Sequence, residues 1–269
     1  MDKTNALVRQ GETEAAFGQA HQPHAIFRKA LLLLSVADIV TRSKRKGRLS
    51  AMCNLYSSKM PPEAMRQLFD VPSARDLLGN AEPLPAIYPK YLAPIVTTDQ
   101  GGLALVKASW GFLTPNKSKK TGKWLKPSAW NNTRDDKIRT ASLWRDSFEN
   151  RRCLIPGTAY AEATGRNPAT FHWFDVKGTE GFAFAGIWKQ QTATVGDTDV
   201  DGKFYSMVTT APNELAAKYH NRMPVIISPS DYEEYLTGDP GMAFNLLRPF
   251  PADQMQVIGS GEGLRSEPG

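Results

Sequence analysis

The sequence holds only two cysteines, Cys53 and Cys153, among 269 residues. Two thiols so far apart build no disulfide framework, and neither sits in a CxxC pair that would bind zinc. Histidine is scarce as well, at positions 21, 24, 172 and 220 only. A histidine-based metal site is therefore not expected, and no cofactor is implied. No apolar run approaches the ~20 residues that a membrane-spanning helix needs. GxxxxGK[ST], GxGxxG, HExxH and GxSxG are all absent, which removes the usual grounds for a nucleotide-binding, zinc-peptidase or serine-hydrolase reading. There is no internal repeat and no long Pro/Ser-rich linker. Sparse cysteine reads as a reduced, cytosolic chain. What remains is globular: 41% hydrophobic and 22% charged residues, with 21 Gly and 19 Pro. The length suits one large domain or two small ones.

Charge is unevenly spread. Of 33 basic and 27 acidic residues, the first 51 positions hold nine and four. The remaining 218 residues therefore carry a net of only +1, against +6 for the whole chain. Nucleic-acid binding by that larger part must rest on local patches, not on bulk charge. Residues 1–24 are polar and aperiodic, residues 25–40 are apolar, and residues 42–48 form a basic run (RSKRKGR). A secretory signal fits poorly, because a basic cluster stands where a small-residue cleavage site belongs. A basic DNA-binding arm is a second reading. The favoured one is a flexible, disordered extension, either a leader or translation from a start upstream of Met52.

The rest reads as one domain over residues 52–258 with a polar tail at 259–269. Pro61–Asp70 begins with prolines and spaces Met65, Leu68 and Phe69 helically. Two hairpins are expected, Ala93–Thr98 with Leu103–Ser109 and Thr170–Val176 with Phe182–Lys189. Thr114–Lys126 reads as a basic loop. Further strands fall at Arg152–Pro156, Ala159–Ala163, Phe204–Thr210 and Pro224–Ser228. Helices fall at Ala141–Asn150, Asn213–Tyr219, Ser230–Leu236 and Met242–Leu246. Hairpins rather than βαβ units predict an α+β fold on an antiparallel, partly closed sheet with short peripheral helices.

Several residues could carry chemistry. If the chain starts at Met52, removal of methionine gives Cys53 a free α-amine beside its thiol. Both groups are partly nucleophilic near neutral pH. Such a 1,2-aminothiol can trap an aldehyde as a thiazolidine or attack an amide. The plainer reading is a small buried cysteine, as for Cys153 in its apolar strand. His220, in YHNRMPV, is a proton relay or a cap. Glu162, in LIPGTAYAEA, has small apolar neighbours that could raise its pKa for acid/base work, or it faces solvent. Asn132 and Arg134, in NNTR, offer amide donors with a guanidinium, or simply a turn. Trp110 precedes the Lys-rich loop, a combination that suits stacking and phosphate attraction, or a core tryptophan beside a solvated loop.

Seven of these segments, MCNLY, WGF, NNTR, RCLIPGTAYAEA, FAGIW, TTAPN and HNRMPVI, occur in the order seen in the SOS response-associated peptidase (SRAP) family. The resemblance covers roughly Met52 to Leu247. It implies a single SRAP domain that binds single-stranded DNA at abasic sites, crosslinks to them covalently, and exposes its catalytic cysteine by N-terminal processing. By the same resemblance Cys53 is the nucleophile, Asn132 positions the amine or sugar, Glu162 is the acid/base and His220 helps to open the sugar ring. Arg134 and Arg222 hold phosphates, while Asn54, Trp110 and Thr209 line the DNA path. A monomer in the cytoplasm, on the nucleoid when DNA-bound, is implied too. The chain departs from the family in Asn54-Leu55, where Gly-Arg is usual, in Ala163, where an aromatic is usual, and in the residues before Met52.

The chemistry that follows is imine formation by the Cys53 amine, ring closure by the thiol, and β-elimination from the imine as a lyase branch. Backbone and stacking contacts carry no base code, so little sequence preference and a salt-weakened affinity are expected. An N-terminal-nucleophile cysteine amidohydrolase and a non-catalytic single-stranded DNA-binding module are the alternatives.

Overall fold

In the computed structural model, residues 53–195 and 198–269 are described; the expectations for the N-terminal extension lie outside them. Fifteen strands are named along these residues. They are β1 (Leu55–Ser58), β2 (Leu84–Ile87), β3 (Leu92–Asp99), β4 (Gly102–Trp110), β5 (Phe112–Lys117), β6 (Trp124–Trp130), β7 (Asn132–Arg134) and β8 (Arg152–Gly157). There follow β9 (Ala159–Thr164), β10 (Thr170–Val176), β11 (Phe182–Val195), β12 (Thr198–Thr210), β13 (Met223–Pro224), β14 (Ile226–Ile227) and β15 (Met255–Glu262). Five short helices, α1 (Pro62–Leu68), α2 (Asp135–Ile138), α3 (Arg145–Asn150), α4 (Tyr232–Thr237) and α5 (Pro240–Asn245), lie around them. None of the helices among the described residues is long and apolar enough to cross a membrane.

The larger sheet closes on itself. Strand β12 pairs with β4, β4 with β3, β3 with β8, β8 with β11, and β11 returns to β12. This ring is the partly closed sheet expected of an α+β chain. It is not wholly antiparallel, because β12 runs parallel to both β4 and β7. A second sheet, ordered β15-β10-β9-β1-β2, lies against it and is antiparallel throughout.

Period-2 alternation sends successive side chains to two cores. Val96, Leu154, Ala185 and Val208 join the helices α1, α4 and α5 on one side. Ile95, Ile155, Phe184 and Met207 meet Tyr56, Tyr160 and Phe174 of the second sheet on the other. Strand β1 is buried on both faces, with Leu55 in a third cluster beside Trp173. Gly186 faces Cys153 across β11 and β8, where an added Cβ would lie 2.8 Å from the Cys153 sulfur.

Three expectations need correction. Strands β10 and β11 form no hairpin: β10 pairs with β9 and β15 in one sheet, while β11 pairs with β8, β12 and β14 in the other. The basic loop is largely a two-stranded hairpin, β5–β6. The polar tail begins later than expected, since β15 pairs with β10 out to Glu262. Beyond it Glu267 folds back onto Lys59, Thr158 and the Pro85 carbonyl.

Candidate active site at the seam of the two sheets

Cys53 lies just before β1, at the entry to the second sheet. Glu162 projects from the neighbouring β9, on the same face as Tyr160 two residues earlier. Asn132 opens β7 of the closed sheet, opposite Met207. The seam between the sheets thus brings three elements, remote in sequence, to one point.

Cys53 is held through its backbone. Its N–H donates to the Glu162 carboxyl, and its carbonyl accepts from Asn132 Nδ2 at 2.8 Å. Its thiol lies 3.6 Å from the Leu55 carbonyl and is only 1% exposed. Next door, Asn131 Nδ2 donates to Asn54 Oδ1 at 2.7 Å, and the Asn131 carbonyl accepts from Trp110 Nε1 at 2.7 Å. These bonds tie both residues at the chain's entry to the NNTR segment.

The electrostatics follow from burial. Glu162 is 2% exposed with no cation as partner among the described residues, so desolvation pushes its carboxyl well above the ordinary carboxylate range. The Cys53 thiol is also pushed up, first by desolvation and then by the nearby Glu162 carboxyl. Three buried polar atoms here have no partner among the described residues: Glu162 Oε1, Asn132 Oδ1 and the Tyr160 hydroxyl. Unsatisfied buried groups are uncommon and costly, and they gather at functional sites.

Beside this centre lies an arginine cluster. Arg222 is bound by Asp135 at 2.7 Å and by the carbonyl and hydroxyl of Thr209. Arg134 makes a two-pronged pair with Asp136, both contacts 2.9 Å. His220 Nδ1 accepts the Arg222 backbone N–H at 3.1 Å. The same Nδ1 also lies 3.2 Å from the Arg222 carbonyl. No hydrogen bond joins His220 to Cys53 or Glu162 among the described residues. It is tied to them through Tyr219, which packs on Phe174 and on His172, the residue opposite Glu162 on β10.

Two of the side chains expected on a DNA path do not face outward. Trp110 is wholly buried, stacked on Tyr205 and edge-on to Tyr56, so it offers no surface for a base. Thr209 is also buried; its hydroxyl donates to the Thr133 carbonyl. Its role here is to hold Arg222. Asn54 and Arg134 are exposed. Asp135, Asp136 and Tyr160 are site residues to which no sequence motif pointed. The acidic pair directly after Arg134 was the available signal, since like-signed carboxylates beside an arginine favour ion pairing.

The family model described as SOS response associated peptidase (SRAP) matches residues 52–259. The abasic site processing protein YoqW of Bacillus subtilis is 28% identical over 187 residues, covering 66% of this chain and 79% of its own. The abasic site processing protein YobE of the same organism is 27% identical, covering 66% and 81%. Among crystal structures, a protein from Bordetella bronchiseptica matches with TM-score 0.62 at 21% identity, covering 77% of this chain and all of the other. One from Bacteroides thetaiotaomicron matches at 0.59 and 20%, covering 77% and 92%. These two share the fold. The family match spans most of the chain, including every residue of the seam, and the protein belongs to the SOS response associated peptidase family.

Proposed function

We propose that this protein processes abasic sites in single-stranded DNA by forming a covalent thiazolidine link through Cys53. The carrying observation is that the Cys53 nitrogen is held by the buried Glu162 carboxyl while Asn132 fixes the Cys53 carbonyl. The names of the Bacillus relatives support the same substrate class.

The reaction needs that nitrogen as an amine. Removal of Met52, or cleavage of the Met52–Cys53 bond in a longer chain, supplies it. The opened abasic sugar presents an aldehyde. The amine lone pair attacks the aldehyde carbon, giving a carbinolamine. Glu162, whose burial favours the protonated carboxyl, donates the proton with which water departs, leaving the imine. The Cys53 thiol then adds to the imine carbon, its proton passes to nitrogen, and a five-membered ring closes. One water is lost overall and nothing is oxidised or reduced. A free ammonium next to the thiol also favours the thiolate, offsetting part of the burial effect on sulfur. His220 serves ring opening, and Arg134 and Arg222 take flanking phosphates in exchange for their carboxylate partners. β-Elimination from the imine is the competing lyase outcome.

The test is the intact mass of the protein, expressed from the whole reading frame and separately from Met52, before and after incubation with an abasic single strand. A species beginning at Cys53 should gain the mass of the oligonucleotide less one water, and Cys53→Ala should gain none. Equal DNA retention by Cys53→Ala with no adduct in either protein would assign a pure binding module instead.

A further inference from the structure

The hairpin of β5 and β6 is not used by the chemistry above, yet it starts at the site. Trp130 ends β6, directly before Asn131 and Asn132. From Phe112 to Trp130 the chain has five lysines, at 117, 119, 120, 123 and 126, and no Asp or Glu. All five are exposed. None of them pairs with a carboxylate among the described residues.

The same hairpin exposes large apolar side chains. Trp124 is 71% exposed, Leu125 48% and Trp130 45%. Register places Trp130 opposite Phe112 and Trp124 opposite Lys117, whose Nζ lies 5.3 Å from the Trp124 ring centre. The base is fixed. Gln191 of β11 clamps the Leu113 backbone, accepting from its N–H at 2.9 Å and donating to its carbonyl at 2.7 Å. Trp130 Nε1 donates to Thr114 Oγ1 at 2.9 Å, and its ring meets Trp144 edge-on. Gly111 makes the sharp exit from the closed sheet at φ +123, a conformation that disfavours a side chain.

We infer that this hairpin is a second contact arm for single-stranded DNA, gripping nucleotides that flank the reacting one. It rests on the reading above and extends it beyond the reacting nucleotide. Exposed indoles stack on unpaired bases of any sequence, and unpaired lysines neutralise phosphates. A unipolar patch of five cations within a region of net charge near +1 is complementary to a polyanion and not to a mixed protein surface. Continuity through Trp130 and Asn131 joins the arm directly to the site.

The experiment uses a labelled single strand without an abasic site, so affinity is read apart from the covalent step. The full chain, a variant with the five lysines changed to Gln, and Trp124→Ala are compared across a salt series, with thermal melting confirming the fold. The Gln variant should flatten the slope of log affinity against log salt by up to about 3.5, at roughly 0.7 per lysine. Trp124→Ala should weaken binding by about tenfold, with the salt slope unchanged. Wild-type affinity and slope in both variants would overturn the arm. So would unchanged DNA binding with a loss confined to anionic vesicles. If the abasic strand still gains its adduct while the arm variants bind normally, the arm fails and the crosslinking reading stands. If the arm variants lose binding while wild type never forms an adduct, the arm stands and the crosslinking reading fails.

Discussion

Glu162 carries a stability cost that the proposed acid role would require. Its carboxyl binds a proton more tightly when folded than when unfolded, because burial disfavours the anion. Between the unfolded and folded pKa values the native state therefore holds more protons, and stability falls as pH rises through that window. Glu162→Gln removes this titration. Its melting temperature should fall less than that of wild type from pH 5 to pH 8, while adduct formation drops by at least ~100-fold, within the usual span for a lost general acid. A variant that melts in parallel with wild type at every pH would contradict the neutral-acid role. Tyr160 offers a second check. Its hydroxyl is buried without a partner, so Tyr160→Phe should unfold at the same or higher urea concentration, by up to about 1 kcal/mol. Asn132→Ala should do the reverse, costing about 1–3 kcal/mol by leaving the Cys53 carbonyl buried without its donor. The Cys53, Glu162, Asn132 and Arg222 segments that meet at and beside the seam were legible in the sequence, because each lies in a distinct local motif. Burial was one of two readings open for Trp110, which Tyr205 of the distant β12 settles, while that of Thr209 was not legible, since it depends on pairing with β7 and β13.

Elements show the same division between local and distant causes. The β3–β4 hairpin is written into its turn: Asp99 Oδ1 accepts the Gly101 N–H at 2.8 Å between two apolar strands. Strands β10 and β11 were equally recognisable as strands, but their short connection suggested a pairing that tertiary packing refuses. Strand β15 is Gly- and Ser-rich and gains its conformation from β10, so its own propensity gave no sign of it. The β5–β6 pair is polar and Lys-rich, and the Gln191 clamp that fixes it lies seventy-eight residues from Leu113. Close approach of β8 and β11 yields an element-level prediction. At Gly186 a new Cβ would meet Cys153 and Ile155 at about 2.8 Å. Gly186→Ala should cost about 1–3 kcal/mol by overpacking, read as a lower urea midpoint with an unchanged slope.

At the scale of the whole molecule, the chain passes repeatedly between its two sheets. Strands β1 and β2 belong to the second sheet, β3, β4 and β8 to the closed one, β9 and β10 to the second again, and β11 to β14 to the closed one before β15 returns. Neither sheet is a contiguous segment, so neither can unfold while its connections stay native. The seam adds specific ties: the Tyr56 and Tyr205 hydroxyls meet at 2.5 Å, and Asn132 reaches across to Cys53 at 2.8 Å. Cys53, the proposed reactive residue, is therefore held from both sheets at once, not carried on a peripheral loop. Local opening that spared one sheet would separate Cys53 from Asn132 and end the reaction. This predicts that far-UV circular dichroism, tryptophan fluorescence and adduct-forming capacity share one urea midpoint. Adduct formation lost well below the structural midpoint would instead place the competent cysteine on a segment that opens by itself, and the seam would then not be what organises the site.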